Sequence, residues 1–303
     1  MSINASTQQV AVWSDHTQER IALDAIQKIN HIATLPEVTV KIIQLVEDPD
    51  STAQDLNKII TNDPALGVRI LKVVNSAFYG LPGQIASVNR AIVLLGLNAV
   101  KNIAIAASLA RLFRGGQICP GFDAKDLWTH SVAVATATKQ LGDRSRLELP
   151  DEAFLAGLIH DVGIMVEIQT CRAKFVEAFD QFQANEQLSL RQAEQQVLGA
   201  NHEHFGAALC KAWKLPDSLT YVTGFHHRPL DLAPQHRTLA CLVHIADIVA
   251  ARAKVGLSVS VDTREVANEL FESVQLTQQV VDEVCRQLPK AIEQADFILH
   301  DAA

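Results

Sequence analysis

His160 and Asp161 place an imidazole next to a carboxylate inside the apolar stretch LAGLIHDVGIMVE, residues 155–167. Burying an unpaired carboxylate costs free energy unless a partner compensates it. Three arrangements would do so: a hydrogen-bonded pair in the core, a bound metal ion, or a proton-transfer site. The two residues by themselves leave all three interpretations open.

Further imidazoles and carboxylates recur in four other segments that combine apolar residues with a helical pattern. They are His130 in LWTHSVAVA, His202 and His204 in ANHEHFG, His226 and His227 in GFHHRP, and His244 and Asp247 in LVHIADIVA. Neutral imidazole and carboxylate without thiolate suit Fe, Mn, Zn or Ni, and they argue against a closed structural zinc site. A single buried histidine more often hydrogen-bonds a carbonyl than binds a metal, and we expect this role for His204 and His244.

The composition is that of an ordinary globular protein. The chain has 303 residues, of which 48% are hydrophobic and 20% charged, so its core needs neither disulfides nor metal to fold. Its formal net charge of −8 argues against nucleic acid as a partner, because sequence-independent binding requires a basic surface.

The compartment is predicted to be the cytoplasm. The five cysteines are scattered without a CxxC pair, which is typical of reduced thiols. The polar N-terminus lacks the pattern of a signal peptide, and no apolar run such as AIVLLGL is long enough to span a bilayer. We therefore expect no membrane association.

Helices are favoured over strands along the chain, since 14 glycines and 10 prolines leave few tight turns. Ser51 with Gln54 fits a capping box, and Asp63 before Pro64 fits a helix start. The cations Arg69, Lys72, Lys101, Arg111 and Arg114 are predicted to lie on solvated helix faces.

The segment around His160 and Asp161 is predicted to be helical. Apolar residues recur there at helical spacing and form a buried face, namely Phe154, Leu155, Leu158, Ile159, Val162 and Val166. The glycine-rich stretch RGGQICPGFDAKD, residues 114–126, marks the main internal boundary.

Several motifs carry a family resemblance. HSVAVA, AGLIHDVG, GFHHRP and HIADIV resemble the HD superfamily of metal-dependent phosphohydrolases. Upstream, the segment from LPEVTV through NDPALGVRILKVVNSAFYG to IVLLGLNAV is similar to the HDOD domain, the HD-related output domain of bacterial signalling proteins, and the likeness covers about residues 29–230.

The helical pattern and the glycine-rich boundary predict an all-α, two-lobed fold, and the resemblance agrees with it. We expect a weakly ordered or helical leader at residues 1–24 and an N-terminal helical lobe at 25–118. An HD-like helical lobe, with the C-terminal helices, is expected at 119–303.

The resemblance also implies a ligand set for one or two divalent ions. In HD enzymes one metal is held at the positions of His130, His160, Asp161 and Asp247. The two-metal members, such as the cyclic-di-GMP phosphodiesterases of the HD-GYP group, add the positions of His202, His226 and His227. Asp161 would then bridge the two ions, and a metal pair can clamp a phosphodiester.

One departure separates metal binding from catalysis. Two-metal HD phosphodiesterases read HDxxK, whereas this chain has Ile164 at the lysine position, and it lacks the GYP loop between His202 and His226. An aliphatic side chain can neither donate a proton nor stabilise phosphate charge.

Three functions compete at this point. The first is a signalling module that holds metal or nucleotide and contacts a protein partner. The second is an active phosphohydrolase on a nucleotide or cyclic dinucleotide, in which Asp161 would be catalytic. The third, purely structural histidines, requires seven independent coincidences and ranks last.

Overall fold

The computed structural model describes residues 16–28, 37–48, 50–75, 81, 83–113, 116–145, 147 and 152–294. These residues form an all-helical fold, as predicted. In chain order the helices are α1 (His16–Lys28), α2 (Glu37–Glu47), α3 (Ala53–Thr61), α4 (Pro64–Val74), α5 (Val88–Leu95), α6 (Leu97–Leu109), α7 (Ala124–Gly142), α8 (Ala153–Ile159), α9 (Val162–Ala184), α10 (Leu190–Leu198), α11 (His202–Ala212), α12 (Asp217–Phe225), α13 (Pro234–Ala253), α14 (Asn268–Val274) and α15 (Gln278–Gln294).

Short elements join some of these helices. Ala110–Phe113 and Pro229–Asp231 are 3-10 turns, the first of which directly follows α6. Within the predicted glycine-rich boundary, β1 (Gln117–Cys119) pairs antiparallel with β2 (Phe122–Asp123). Asp123 then accepts a hydrogen bond from the backbone N–H of Lys125 at 2.8 Å and begins α7.

Helices α3 and α4 each begin directly after a residue whose side chain caps the first turn. Asp63 accepts from the backbone N–H of Leu66 at 2.9 Å, and Pro64 is the first residue of α4, as predicted. The capping box of α3 is formed by Thr52 and Asp55, so the prediction of Ser51 with Gln54 was wrong by one residue.

Lys101 corrects a second prediction, because it is 2% exposed and does not lie on a solvated face. Its ammonium donates to the carbonyl oxygen of Leu45 at 2.5 Å and to the hydroxyl of Ser51 at 2.7 Å. Leu45 lies in the last turn of α2, where carbonyl groups lack helical partners and favour a cation. Burial lowers the pKa of Lys101. Arg114 and the side chain of Arg111 lie outside the described residues.

The C-terminal half is built around α7, α8, α9, α11, α12 and α13. Helix α7 packs on α8 and α13, and α11 packs on α9 and α12. Gly163 permits the close approach of α9 to α11, since a Cβ atom there would lie 1.9 Å from the carbonyl oxygen of His202. Helix α1, which spans the predicted leader boundary at residue 24, packs on α11.

The helical segment predicted around His160 is interrupted. Helix α8 ends at Ile159, and Asp161 adopts the non-helical angles φ −96° and ψ 13° before α9 begins at Val162. This sparsely populated backbone region often holds active-site residues. The stretch Ala153–Ala184 has the length and mean hydropathy of a membrane span, but 83% of its apolar window is buried in the fold.

Candidate metal centre

The seven residues predicted as metal ligands converge from separate helices. His130 comes from α7, His160 and Asp161 from the α8–α9 junction, His202 from the start of α11, His226 and His227 from the end of α12, and Asp247 from α13. All are buried except His227, which is half-buried.

One cluster consists of Asp161, His202, His226 and His227, whose candidate ligand atoms lie within 4.8 Å of one another. Asp161 Oδ1 is 3.2 Å from Nε2 of His226 and 3.6 Å from Nε2 of His202. The Nε2 atoms of His202 and His227 are 3.0 Å apart. Four donor atoms therefore surround a space of the size that one cation needs.

A second cluster shares Asp161 through its other oxygen. His130, His160 and Asp161 also offer ligand atoms within 4.8 Å of one another. Asp161 Oδ2 is 3.3 Å from Nε2 of His160 and 4.0 Å from Nε2 of His130. Asp247 Oδ1 adjoins both imidazoles, at 2.9 Å from His130 and 3.8 Å from His160. Asp161 is thus placed between two candidate cation positions.

Unsatisfied buried atoms indicate that these residues fit metal ions. His160 Nε2, Asp161 Oδ1 and both ring nitrogens of His226 are buried without a hydrogen-bond partner in the described part of the chain. An unpaired buried donor or acceptor costs about 1–3 kcal/mol, so a core pair alone accounts poorly for this arrangement. A divalent ion would take up the lone pairs that face the space between these side chains.

Hydrogen bonds outside the clusters orient the imidazole rings. His202 Nδ1 lies 2.7 Å from Glu194 Oε2, and His160 Nδ1 lies 2.8 Å from the carbonyl oxygen of Gly157. The Nδ1 atoms therefore donate to these oxygens, and the Nε2 atoms, which face the centre, are the ones that would bind a metal ion once they lose their protons.

His204 and His244 make hydrogen bonds outside the two clusters. His244 Nδ1 lies 2.6 Å from the carbonyl oxygen of His226, as expected for a structural histidine. His204 Nδ1 lies 2.7 Å from the side-chain oxygen of Asn201.

The electrostatic field of the site favours positive charge. Burial opposes protonation of His160, but the negative charge of Asp161 raises the pKa of His160 to about 9. In the same way burial is outweighed by Glu194, which raises the pKa of His202 to about 9. For Asp161, burial is outweighed by His160, and the pKa of the carboxyl falls well below its usual range. The carboxylates therefore stabilise cations at this position, whether protons or metal ions.

Three residues that sequence reasoning missed complete the site. Glu194 orients His202, Ser260 donates from its hydroxyl to Asp161 Oδ2 at 2.7 Å, and Glu203 accepts from the backbone N–H of His227 at 3.3 Å. Glu203 directly follows His202 in the sequence, so its place next to the metal centre could have been predicted. Glu194 lies eight residues before His202, and Ser260 lies in a loop, so neither has a spacing that predicts contact.

Ile164 is fully buried and belongs to the hydrophobic core. The lysine position of the HDxxK pattern therefore holds a packed aliphatic side chain.

The fold and the site define a class of protein, an all-helical domain with a buried histidine–aspartate cluster capable of holding metal ions. The HDOD domain matches residues 32–229 of this chain. The chain therefore belongs to the HDOD family, and the predicted family membership is confirmed.

Solved structures confirm the fold. An HDOD domain protein of unknown function from Geobacter sulfurreducens has a TM-score of 0.78 at 21% identity, covering 93% of this chain and 98% of that protein. A Shewanella amazonensis protein provisionally named a phosphohydrolase has a TM-score of 0.72 at 21% identity, covering 91% of this chain and 97% of that one. A Marinobacter aquaeolei protein provisionally named a signal transduction protein has a TM-score of 0.73 at 24% identity, covering 96% and 68%.

A curated relative, an uncharacterised protein of Treponema pallidum, is 23% identical over 233 residues, which are 76% of this chain. The chain spans 44% of the length of that relative.

Proposed function

We propose that this HDOD protein is a bacterial signalling module whose centre binds divalent metal and a nucleotide, and whose helical surface contacts a protein partner. The observation that carries the proposal is the position of Asp161, whose two oxygens face two separate groups of imidazoles. Such a carboxylate suits two ions that share one ligand.

The proposed ligands are the seven converging residues, and the proposed ions are Fe, Mn, Zn or Ni. His130, His160 and Asp247 with Asp161 would hold one ion. His202, His226 and His227 with Asp161 would hold the other. Imidazole and carboxylate accommodate each of these metals, whose selection also depends on supply in the cell.

Ligand binding without turnover is favoured by the surroundings of the centre. The buried Ile164 supplies no proton to a leaving group, and six of the seven proposed ligands are buried. The half-buried His227 marks the side of the centre that borders solvent.

The alternative is an active metal-dependent phosphohydrolase on a nucleotide or cyclic dinucleotide. The full set of seven candidate ligands supports it, because each ion could polarise a phosphate oxygen or activate water. Asp161 would then be catalytic through the ions that it positions.

Metal analysis of protein purified without an affinity tag tests the metal proposal. We expect up to two equivalents of a transition metal in the wild type and strongly reduced content in Asp161→Asn, which keeps the size of the side chain. Asp180→Asn, on the exposed face of α9, should retain the wild-type content. A wild type that binds no metal after loading would contradict the proposal.

Hydrolysis assays then separate the module from the enzyme. The fully loaded protein should leave mononucleotides and cyclic dinucleotides intact if it is a binding module. Turnover that Asp161→Asn abolishes and Asp180→Asn retains would establish the phosphohydrolase instead.

The compartment is proposed to be the reducing cytoplasm. The five cysteines, Cys119, Cys171, Cys210, Cys241 and Cys285, are all free thiols.

A further inference from the structure

Two arginines adjoin the solvent-facing side of the metal centre. Glu203 is fully buried, and its Oε2 lies 3.1 Å from Nη1 of Arg191 and 3.3 Å from Nε of Arg228. The other oxygen of Glu203 accepts from the backbone N–H of His227. Because a single carboxylate joins all three residues, both guanidinium groups lie beside the one proposed ligand that is half-buried.

The position of Arg228 is further fixed by an aromatic ring. Its guanidinium carbon lies 4.6 Å from the centre of the Phe225 ring, which is a cation–π distance. Its Nη1 lies 3.6 Å from the exposed carboxylate of Asp231. The guanidinium is therefore held in place while part of its edge remains next to solvent.

Arg191 binds a second carboxylate, which comes from a loop. Its Nη2 lies 3.2 Å from Oδ2 of Asp262, whose side chain is 30% exposed. An exposed ion pair contributes little to stability, whereas breaking a buried one is costly. Of the two carboxylates on Arg191, Asp262 is thus the one that an incoming anion would displace, and Glu203 is the one that stays.

We propose that Arg191 and Arg228 form a phosphate-binding subsite beside His227, in which the phosphate group of the ligand replaces the carboxylate of Asp262 on Arg191. The proposal deepens the proposed function, since it assigns the phosphate of the bound nucleotide to named residues. A phosphate offers more oxygens and more negative charge than a carboxylate, and the guanidinium fork matches both groups.

The loop that carries Asp262 also contacts the metal centre. Between α13 and α14, the backbone N–H of Leu257 donates to the carbonyl oxygen of Asp126, and Ser260 donates to Asp161 Oδ2. Release of Asp262 would free one of the contacts that hold this loop against the site. Phosphate binding would thereby be coupled to the surroundings of Asp161.

Titration of the Mn²⁺-loaded protein with inorganic phosphate, followed by calorimetry, tests the subsite. Arg191→Gln should weaken phosphate binding about tenfold or more, because it removes charge-assisted hydrogen bonds. Asp262→Asn should tighten binding by about fivefold, because it removes the competing carboxylate. The double variant should lose that gain, since the gain requires Arg191.

Glu265→Gln is the matched control, because it removes the same charge from an exposed position three residues further along the loop. It should bind phosphate as the wild type does. Phosphate affinity that Asp262→Asn leaves unchanged, or a gain that persists without Arg191, would overturn the subsite.

Metal content measured in every sample separates this proposal from the proposed function. A wild type that takes up no Mn²⁺ would contradict the metal centre, and titration of that metal-free protein would still test the arginine subsite. Full metal loading without an effect of Asp262→Asn would contradict the subsite alone.

Discussion

Glu194 determines which nitrogen of His202 faces the metal centre. Its Oε2 accepts from the backbone N–H of His202 at 3.0 Å and lies 2.7 Å from Nδ1 of the same residue. Two contacts to one oxygen fix both the position of the residue and the orientation of its ring. The carboxylate also makes the imidazole a stronger metal ligand.

Glu194→Gln should therefore lower metal affinity by about ten- to hundredfold, since the amide retains an acceptor but loses the negative charge. Competition with a chromophoric chelator would measure the change. Glu186→Gln, an exposed residue between α9 and α10, is the control and should bind metal normally. Equal affinities of Glu194→Gln and wild type would show that Glu194 does not support a metal ligand.

Glu167 adds a second buried carboxyl next to Glu194. Burial and the nearby charge of Glu194 raise the pKa of Glu167 well above its usual value. A pKa that is higher in the folded than in the unfolded protein gives stability at low pH, and that stability is lost as the pH rises through the folded-state pKa. The carboxyl therefore favours folding below about pH 4.5 and opposes it increasingly above.

Glu167→Gln should remove this penalty. In the metal-free protein its free energy of unfolding should exceed that of the wild type by more at pH 8 than at pH 5. Urea unfolding in the presence of a chelator at both pH values would measure the difference. Glu177→Gln, exposed on the same helix, should show no comparable trend. A difference independent of pH would mean that Glu167 ionises normally.

At the scale of elements, the C-terminal end of α2 is stabilised by Lys101, which lies on another helix. Lys101 of α6 donates to Leu45 near the end of α2 and to Ser51, whose hydroxyl donates to Leu45 in turn. The sequence predicts that Lys101 lies on a helix, but it does not predict that the side chain points into the protein. The amphipathic pattern of α6 is weak, because nearly all of its residues are buried.

Lys101→Met should destabilise the protein by about 1–3 kcal/mol, because it leaves a buried carbonyl group without its charged donor. The methionine retains most of the apolar length of the side chain, which isolates the ammonium. Lys58→Met is the matched control, since Lys58 is 74% exposed and its ion pair with Asp55 contributes little. Urea unfolding of the two variants should differ clearly, and equal losses would contradict the role of Lys101.

The break between α8 and α9 is not predicted by the helical spacing of the apolar residues. The apolar residues on both sides of His160 are buried, as the helical pattern predicts. The pattern continues through the break, so it does not indicate that Asp161 leaves the helical conformation. Because Asp161 leaves the helical conformation, its carboxylate lies between the two groups of imidazoles.

Across the whole molecule, the identities of the candidate ligands were accessible from sequence and their arrangement was not. Imidazoles and carboxylates are costly in apolar helices, so they stood out as candidates, and the family resemblance then supplied the set of seven. Which oxygen of Asp161 faces which cluster depends on how α7, α11, α12 and α13 pack, and no local pattern contains that information. Ser260 reaches Asp161 from a loop without periodicity, and only the folded chain brings them together.

Because the proposed ligands join α7, α8, α11, α12 and α13, metal should stabilise that half of the molecule in particular. An ion present at a hundred times its dissociation constant adds about 2.7 kcal/mol to stability. For a chain of this length, removal of one such ion should then lower Tm by about 4 °C, and removal of two by about twice as much. Differential scanning calorimetry with and without EDTA would measure the shift.

Hydrogen exchange would locate that loss of stability. EDTA should increase exchange in α11, α12 and α13, whereas α3, α4 and α5 contain none of the proposed ligands and should change little. Asp161→Asn should resemble the chelated wild type and respond weakly to EDTA. A uniform increase in all helices would mean that the ions stabilise the chain through sites other than this centre.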